Sequence, residues 1–168
     1  KPTNESAKIK NQIPKDKNDF LKFAIQYNPS FIQIVKQTPE LCKIAIKQYT
    51  YWLAYVNDQS EELCKFAIER DAYAIQYVKN QTPEICLEAV KENECALYYV
   101  KEQTPEICLE AVKNSGFALE YVKEQTHEIC LEAVKIHGLS LYYVKEQTPE
   151  ICLEAIKQDK NALKFVRI

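Results

Sequence analysis

Ten residues, TPEICLEAVK, run from Thr82 to Lys91 and return unchanged from Thr104 to Lys113. The segment recurs with one change from Thr126 (THEICLEAVK) and Thr148 (TPEICLEAIK), and more loosely from Thr38 (TPELCKIAIK) and Ser60 (SEELCKFAIE), each time 22 residues on. A seventh, worn copy (LKFAIQ, residues 21–26) sets Ala24 in line with Ala45, Ala67, Ala89, Ala111, Ala133 and Ala155. Its linker to the next copy is one residue short, since Val35 lies three residues before Thr38 whereas Val100 lies four before Thr104. Self-similarity at a fixed short period marks a chain whose units cannot bury an apolar face alone and must stack. The repeat therefore predicts an all-α solenoid of about seven stacked short helical hairpins over residues 16–168, behind a flexible polar N-terminal tail, residues 1–15.

Within a unit the wording sets two short helices. Thr82 is a natural N-cap, Pro83 suits the first helical position, and Glu84 suits the positive end of the helix dipole. Ile85, Cys86, Ala89 and Val90 then fall on one stripe. After a turn near residues 92–94, which carries Gly116 and Gly138 in later copies, a second helix is expected from about Cys95 to Glu102, with Leu97 and Val100 facing the core. Helices this short do not persist alone in water, where roughly 12–15 residues are already marginal, so stacking must hold them.

Recurring residues form columns. Cys42, Cys64, Cys86, Cys108, Cys130 and Cys152 look like a metal or redox array. Layers about 8–10 Å apart are too far for a disulfide or a zinc site, so they read as small core residues, with no metal and no cofactor. Cys95 lies outside the column and is the best candidate for a reactive thiol. Tyr55, Tyr77, Tyr99, Tyr121, Tyr143 and Phe165 read as a half-buried aromatic ladder. Gln37, Gln59, Gln81, Gln103, Gln125 and Gln147 precede every capping residue and suit loop backbone groups. Lys36, Lys79, Lys101, Lys123, Lys145 and Arg167 read as part of a solvated mixed-charge face, next to Glu102, Glu124 and Glu146. His127 and His137 have no partner at metal-ligand spacing. No nucleophile, base and orienter set and no glycine-rich phosphate loop stands out, so the chain is not expected to be an enzyme.

Seven cysteines, six of them in the column, suggest reduced thiols in a cytoplasmic setting. A net charge of −2 supplies no field to draw nucleic acid or an anionic membrane. With no apolar run near 18 residues, no membrane association is expected.

Comparing copies separates constrained positions from free ones. The free set comprises the turns between the paired helices and the slot of Ala54, Gln76, Tyr98, Glu120, Tyr142 and Lys164. Such positions line one face of a solenoid, which makes Tyr51, Tyr73, Gln76, Tyr98, Phe117, Glu120 and Tyr142 the candidate interaction surface for a protein partner. Trp52 shares a column with Ala74, Ala96 and Ala118 and reads as core. Phe165, Val166 and Ile168 carry no polar capping helix after them, so they are the candidate residues for self-association into a homo-oligomer.

EICLEAVK followed by ALxYVKEQT resembles a tandem-repeat family of unknown function found in giant-virus (mimivirus-like) and some intracellular bacterial proteins. The resemblance covers roughly residues 17–168. It implies a viral source, in line with the abundance of Lys, Asn, Ile and Tyr, and hence host cytoplasm or virion as the location. The family lends no catalytic residues. The expected function is a non-enzymatic interaction scaffold. The alternatives are a self-assembling structural protein or, with less support, a single-stranded nucleic acid binder using the basic column.

Overall fold

The computed structural model describes residues 14–167. Seven α-helices are present there: α1 (Lys17–Tyr27), α2 (Pro39–Gln48), α3 (Glu61–Ile68), α4 (Pro83–Glu92), α5 (Pro105–Asn114), α6 (His127–Ile136) and α7 (Pro149–Gln158). Each is followed by a 3₁₀ helix: η1 (Pro29–Gln33), η2 (Thr50–Tyr55), η3 (Ala72–Tyr77), η4 (Glu94–Tyr99), η5 (Gly116–Tyr121), η6 (Gly138–Tyr143) and η7 (Lys160–Phe165). Each α-helix packs on the α-helices beside it and each η helix on the η helices beside it, while most α-helices also meet their own and the preceding η helix. The result is the two-layered, sequentially stacked α-solenoid that the period demands.

The starts of the α-helices follow the reading above. Thr82 is extended and its hydroxyl accepts from the Ile85 N–H, and Thr38, Ser60, Thr104, Thr126 and Thr148 do the same in their own units. Asp16 opens α1 by accepting from the Asn18 and Asp19 N–H groups. Ile85, Cys86, Ala89 and Val90 are buried, as are most of their counterparts, and they join one continuous apolar spine. Alanine at position 89 lets neighbouring backbones come close, and Leu97 and Val100 fill the spine from the η layer.

The second helix departs from expectation in kind and extent. It is a 3₁₀ turn that ends at Tyr99, with Val100 already extended at φ −70°, ψ 122° and its N–H bonded to the Leu97 carbonyl. Core contacts spaced at i and i+3 suit either helix, but the 3₁₀ form eclipses them on one edge and is used in short pieces. An α-helix would also have taken up the carbonyls of Leu97 and Tyr99, which here receive other donors.

Those donors are the glutamines. The Gln81 Nε2 donates to the Ile75 carbonyl of its own unit at 3.0 Å and to the Tyr99 carbonyl of the next at 3.1 Å, while its Oε1 accepts from the Lys101 N–H at 2.9 Å. Gln37, Gln59, Gln103, Gln125 and Gln147 repeat this three-point clamp, so six glutamines tie η helices together across every junction.

The lysine column corrects the reading of a merely solvated face. The Lys123 Nζ donates to the Val100 carbonyl at 2.9 Å and the Lys101 carbonyl at 3.0 Å. Lys79, Lys101 and Lys145 reach back in the same way, and Arg167 bonds the Val144 carbonyl. These carbonyls end the preceding 3₁₀ turn, where backbone acceptors lack partners and a cation is favoured.

Gly116 and Gly138 have negative φ and serve a close approach. A Cβ on Gly116 would stand 2.3 Å from the Ala133 carbonyl oxygen, and one on Gly138 would stand 2.4 Å from that of Ala155. At these two junctions the η layer meets the following α-helix with no room for a side chain.

Candidate interaction face

The free positions converge on the outer side of the η layer. Ala54, Gln76, Tyr98, Glu120, Tyr142 and Lys164 are all exposed and occupy one slot in six successive units. Tyr51, Tyr73 and Phe117, from the second position of their η helices, are exposed as well. Tyr98 and Tyr142 are the most open of the aromatic candidates, at 64% and 56%. All seven residues singled out from the sequence therefore lie on the surface, and none contributes to the spine.

Beneath them runs the aromatic ladder. Tyr77, Tyr99, Tyr121, Tyr143 and Phe165 pack partly buried against the core, whereas Tyr55 is exposed. Edge-to-face contacts pass from Tyr73 to Tyr99 (ring centroids 5.9 Å apart), from Tyr99 to Tyr98 (5.0 Å) and from Tyr98 to Tyr121 (5.9 Å), linking three units. Tyr142 meets Tyr143 and Phe165 in the same way. Each such contact contributes about 0.5–1.5 kcal/mol beyond area burial, so the ladder holds its exposed rungs in place. Trp52 is buried as expected, but its indole N–H has no partner among the described residues.

Cys95 is half-buried among these tyrosines, and its N–H is bonded to the Asn93 side chain. The thiol beside it, together with burial, pushes the Tyr121 hydroxyl up to about 12. Burial and the same thiol push Tyr73 in the same direction. The six column cysteines are buried and unbridged. Burial raises every one of those thiols, Cys130 to about 11, because the thiolate would be stranded in the spine. No group of three or more metal-binding side chains occurs among the described residues, and no described helix is long and apolar enough to cross a membrane.

The two histidines join neighbouring units. His127 Nε2 is 3.1 Å from a Glu150 carboxylate oxygen. His137 Nδ1 accepts from the Gly116 N–H at 3.1 Å while its ring stacks on Phe117. Both contacts span more than 20 residues of sequence and were not legible in it.

Of the candidate self-association residues, Phe165 and Val166 are half-buried, and Ile168 lies outside the described residues. Two other side chains are more open. Leu153 is 60% and Leu163 65% exposed, whereas Leu97, Leu119 and Leu141 in the slot of Leu163 are fully buried by the unit that follows. The column alignment could have identified them, since a stacked layer covers the same positions in every copy.

Comparison with known proteins adds one match. The model of a family described as a domain of unknown function (DUF4116) matches four overlapping stretches, residues 60–104, 82–127, 104–148 and 126–167. No curated protein and no solved structure matches the chain.

Proposed function

The chain belongs to the DUF4116 family of tandem repeats, and we propose that it works without catalysis, as a protein-interaction scaffold that meets its partner on the outer η face. What carries this reading is the division of labour among positions. The apolar side chains shared by the copies are mostly buried and the shared glutamines tie units together, while the varying slot of Ala54, Gln76, Tyr98, Glu120, Tyr142 and Lys164, with Tyr51, Tyr73 and Phe117, stands exposed on the η layer and sets aromatic anchors among polar groups. Large, stiff aromatic side chains are the usual anchors of interfaces. The basic column lends less to a nucleic-acid reading, since its ammonium groups are engaged with backbone carbonyls. The resemblance to giant-virus repeats makes host cytoplasm or the virion the setting we favour.

The test is a quantitative pull-down from host lysate, comparing the native chain with one carrying Tyr51→Ser, Tyr73→Ser, Tyr98→Ser, Phe117→Ser and Tyr142→Ser. Circular dichroism checks that the fold is kept. Loss of the bound set is expected; recovery of the same proteins at the same level by the substituted, folded chain refutes the face.

A further inference from the structure

Two neighbouring slots on the outer side of the α layer exchange their chemistry along the array. In α4–α7 the pair is apolar then acidic, from Leu87 and Glu88 to Leu153 and Glu154. In α1–α3 it is basic then apolar: Lys22 and Phe23, Lys43 and Ile44, Lys65 and Phe66. Stacking does not require the exchange, since Ala45, Ile46, Ala67 and Ile68 behind the one kind are as buried as Ala89 and Val90 behind the other. Phe23, Ile44 and Phe66 are only half-buried. With Pro39, Ile44 and Phe66 form the apolar part of an open groove of about 720 Å³ between α2 and α3, whose charged lining sets Lys43, Lys47 and Arg70 against Glu40 and Glu62. Lys22 holds Glu40 and Lys43 holds Glu62, which leaves Lys47 and Arg70 with no carboxylate among the described residues.

An occupant that fits must bring apolar side chains with carboxylates beside them. The array itself carries that pairing once per unit in α4–α7, where Leu109 and Leu131 are half-buried, Leu153 is exposed, and Glu88, Glu110 and Glu132 hold no cation among the described residues. Each of α4–α7 has one lysine against two or three glutamates, whereas α1 and α2 each have two lysines against one carboxylate. Among the described residues each α-helix touches no α-helix but its neighbours, so the two stretches do not meet within one chain. Orientation follows from the helix ends, since α2 and α4–α7 all have a glutamate in the first turn and a lysine in the last. A second copy turned by half a turn about its long axis runs its helices against those of the first, so that acidic first turns meet basic last turns and the helix dipoles oppose. We propose that the outer face of α1–α3 is a docking surface for the outer face of α5–α7 of a second copy, with leucines entering beside Ile44 and Phe66 and glutamates meeting the lysine row. Both rows repeat once per unit, so one contact in register sets the others. The contact joins unlike halves and can therefore repeat from copy to copy. It uses the α layer and leaves the η face free, so it stands apart from the scaffold reading.

The experiment is sedimentation velocity over a concentration series, on the native chain, on Lys43→Glu with Lys65→Glu, on Glu110→Lys with Glu132→Lys, and on an equimolar mixture of the two variants. Circular dichroism checks that each chain keeps its fold. The native chain should associate with a midpoint on the order of 10 µM and grow past the dimer. Salt at about 0.5 M should weaken this about fivefold or more. Each variant alone sets like charges against each other and should associate about tenfold more weakly or worse. Their mixture joins the native α5–α7 of the first variant to the native α1–α3 of the second, and should form a dimer of one copy of each at native strength that grows no further. A native chain that stays monomeric up to about twentyfold above that midpoint leaves the groove to another occupant and overturns the proposal. So does association unchanged in both variants, which puts the contact elsewhere, as on the open Leu163 end, and so does a mixture that stays monomeric.

Discussion

Replacing Gln103 tests the clamp that joins consecutive units. Its Nε2 donates to the Leu97 and Tyr121 carbonyls, both at 3.0 Å, and its Oε1 accepts from the Lys123 N–H at 2.9 Å. At a net contribution of about 1 kcal/mol per bond, Gln103→Ala should cost about 3 kcal/mol, or rather less where water reaches the freed groups. Gln103→Glu separates hydrogen bonding from packing, since it keeps the shape and the bond from Lys123. Its second oxygen, having no proton at neutral pH, faces two carbonyl oxygens. At pH 7 the glutamate variant should therefore be no more stable than the alanine variant, despite being almost isosteric with the native residue. Facing acceptors, the carboxyl is favoured in its protonated form, which raises its folded-state pKa above the unfolded value of about 4.3. The stability lost to ionisation is then recovered only below that value, short of the native level because one O–H replaces two N–H donors, and is lost as pH rises through the raised folded pKa. Urea titrations of all three chains at pH 4 and pH 7 measure this, with hydrogen exchange at the Lys123 amide reporting the junction directly. A glutamate variant as stable as the native chain at pH 7, or an alanine variant costing under about 0.5 kcal/mol, refutes the clamp.

Three further outcomes follow from the same geometry. Ser140 is fully buried and its hydroxyl has no partner among the described residues, in a column where Ala74, Ala96, Ala118 and Ala162 are also buried; Ser140→Ala should stabilise by about 1 kcal/mol or more, read as a rise in urea midpoint. Gly116→Ala puts a Cβ against the Ala133 carbonyl and should destabilise by about 1–3 kcal/mol, as read by thermal melting, with an unchanged melting point refuting the close approach. At pH 8 an aromatic disulfide reagent should label Cys95 quickly and the six column cysteines only on unfolding. Because burial raises those thiols, their contribution to stability is complete below the ordinary thiol value near 9 and lost as pH rises towards about 11 for Cys130.

The fold was legible because repetition reveals burial: a position that stays apolar through several copies, as Ala89 and Leu97 do, is in the spine. The start of the first helix was legible to the residue, since Thr-Pro-Glu supplies a cap, a fixed φ and a favourable charge at once. The second was not, because Leu97 and Val100 at i and i+3 suit α and 3₁₀ geometry equally, and only the destinations of the Leu97 and Tyr99 carbonyls decide between them. The role of Gln103 was legible in outline from its place before the cap. Lys123 was misread because its partners sit 22 and 23 residues back, where a one-dimensional pattern shows only a charge beside Glu124. The candidate face was found by contrast between copies, but the edge-to-face contacts that link its tyrosines from unit to unit are carried by no sequence column.

Each glutamine clamp ends on peptide atoms of the next unit, and each lysine on peptide atoms of the previous one. Carbonyls are supplied by every residue type and peptide N–H groups by every type but proline. A unit can therefore be duplicated, lost or exchanged with another copy by recombination without leaving a clamp unmatched, provided 22 residues move together. The outward-facing side chains travel with their unit, so reshuffling the array permutes its recognition groups like beads on a string while the thread between them stays the same.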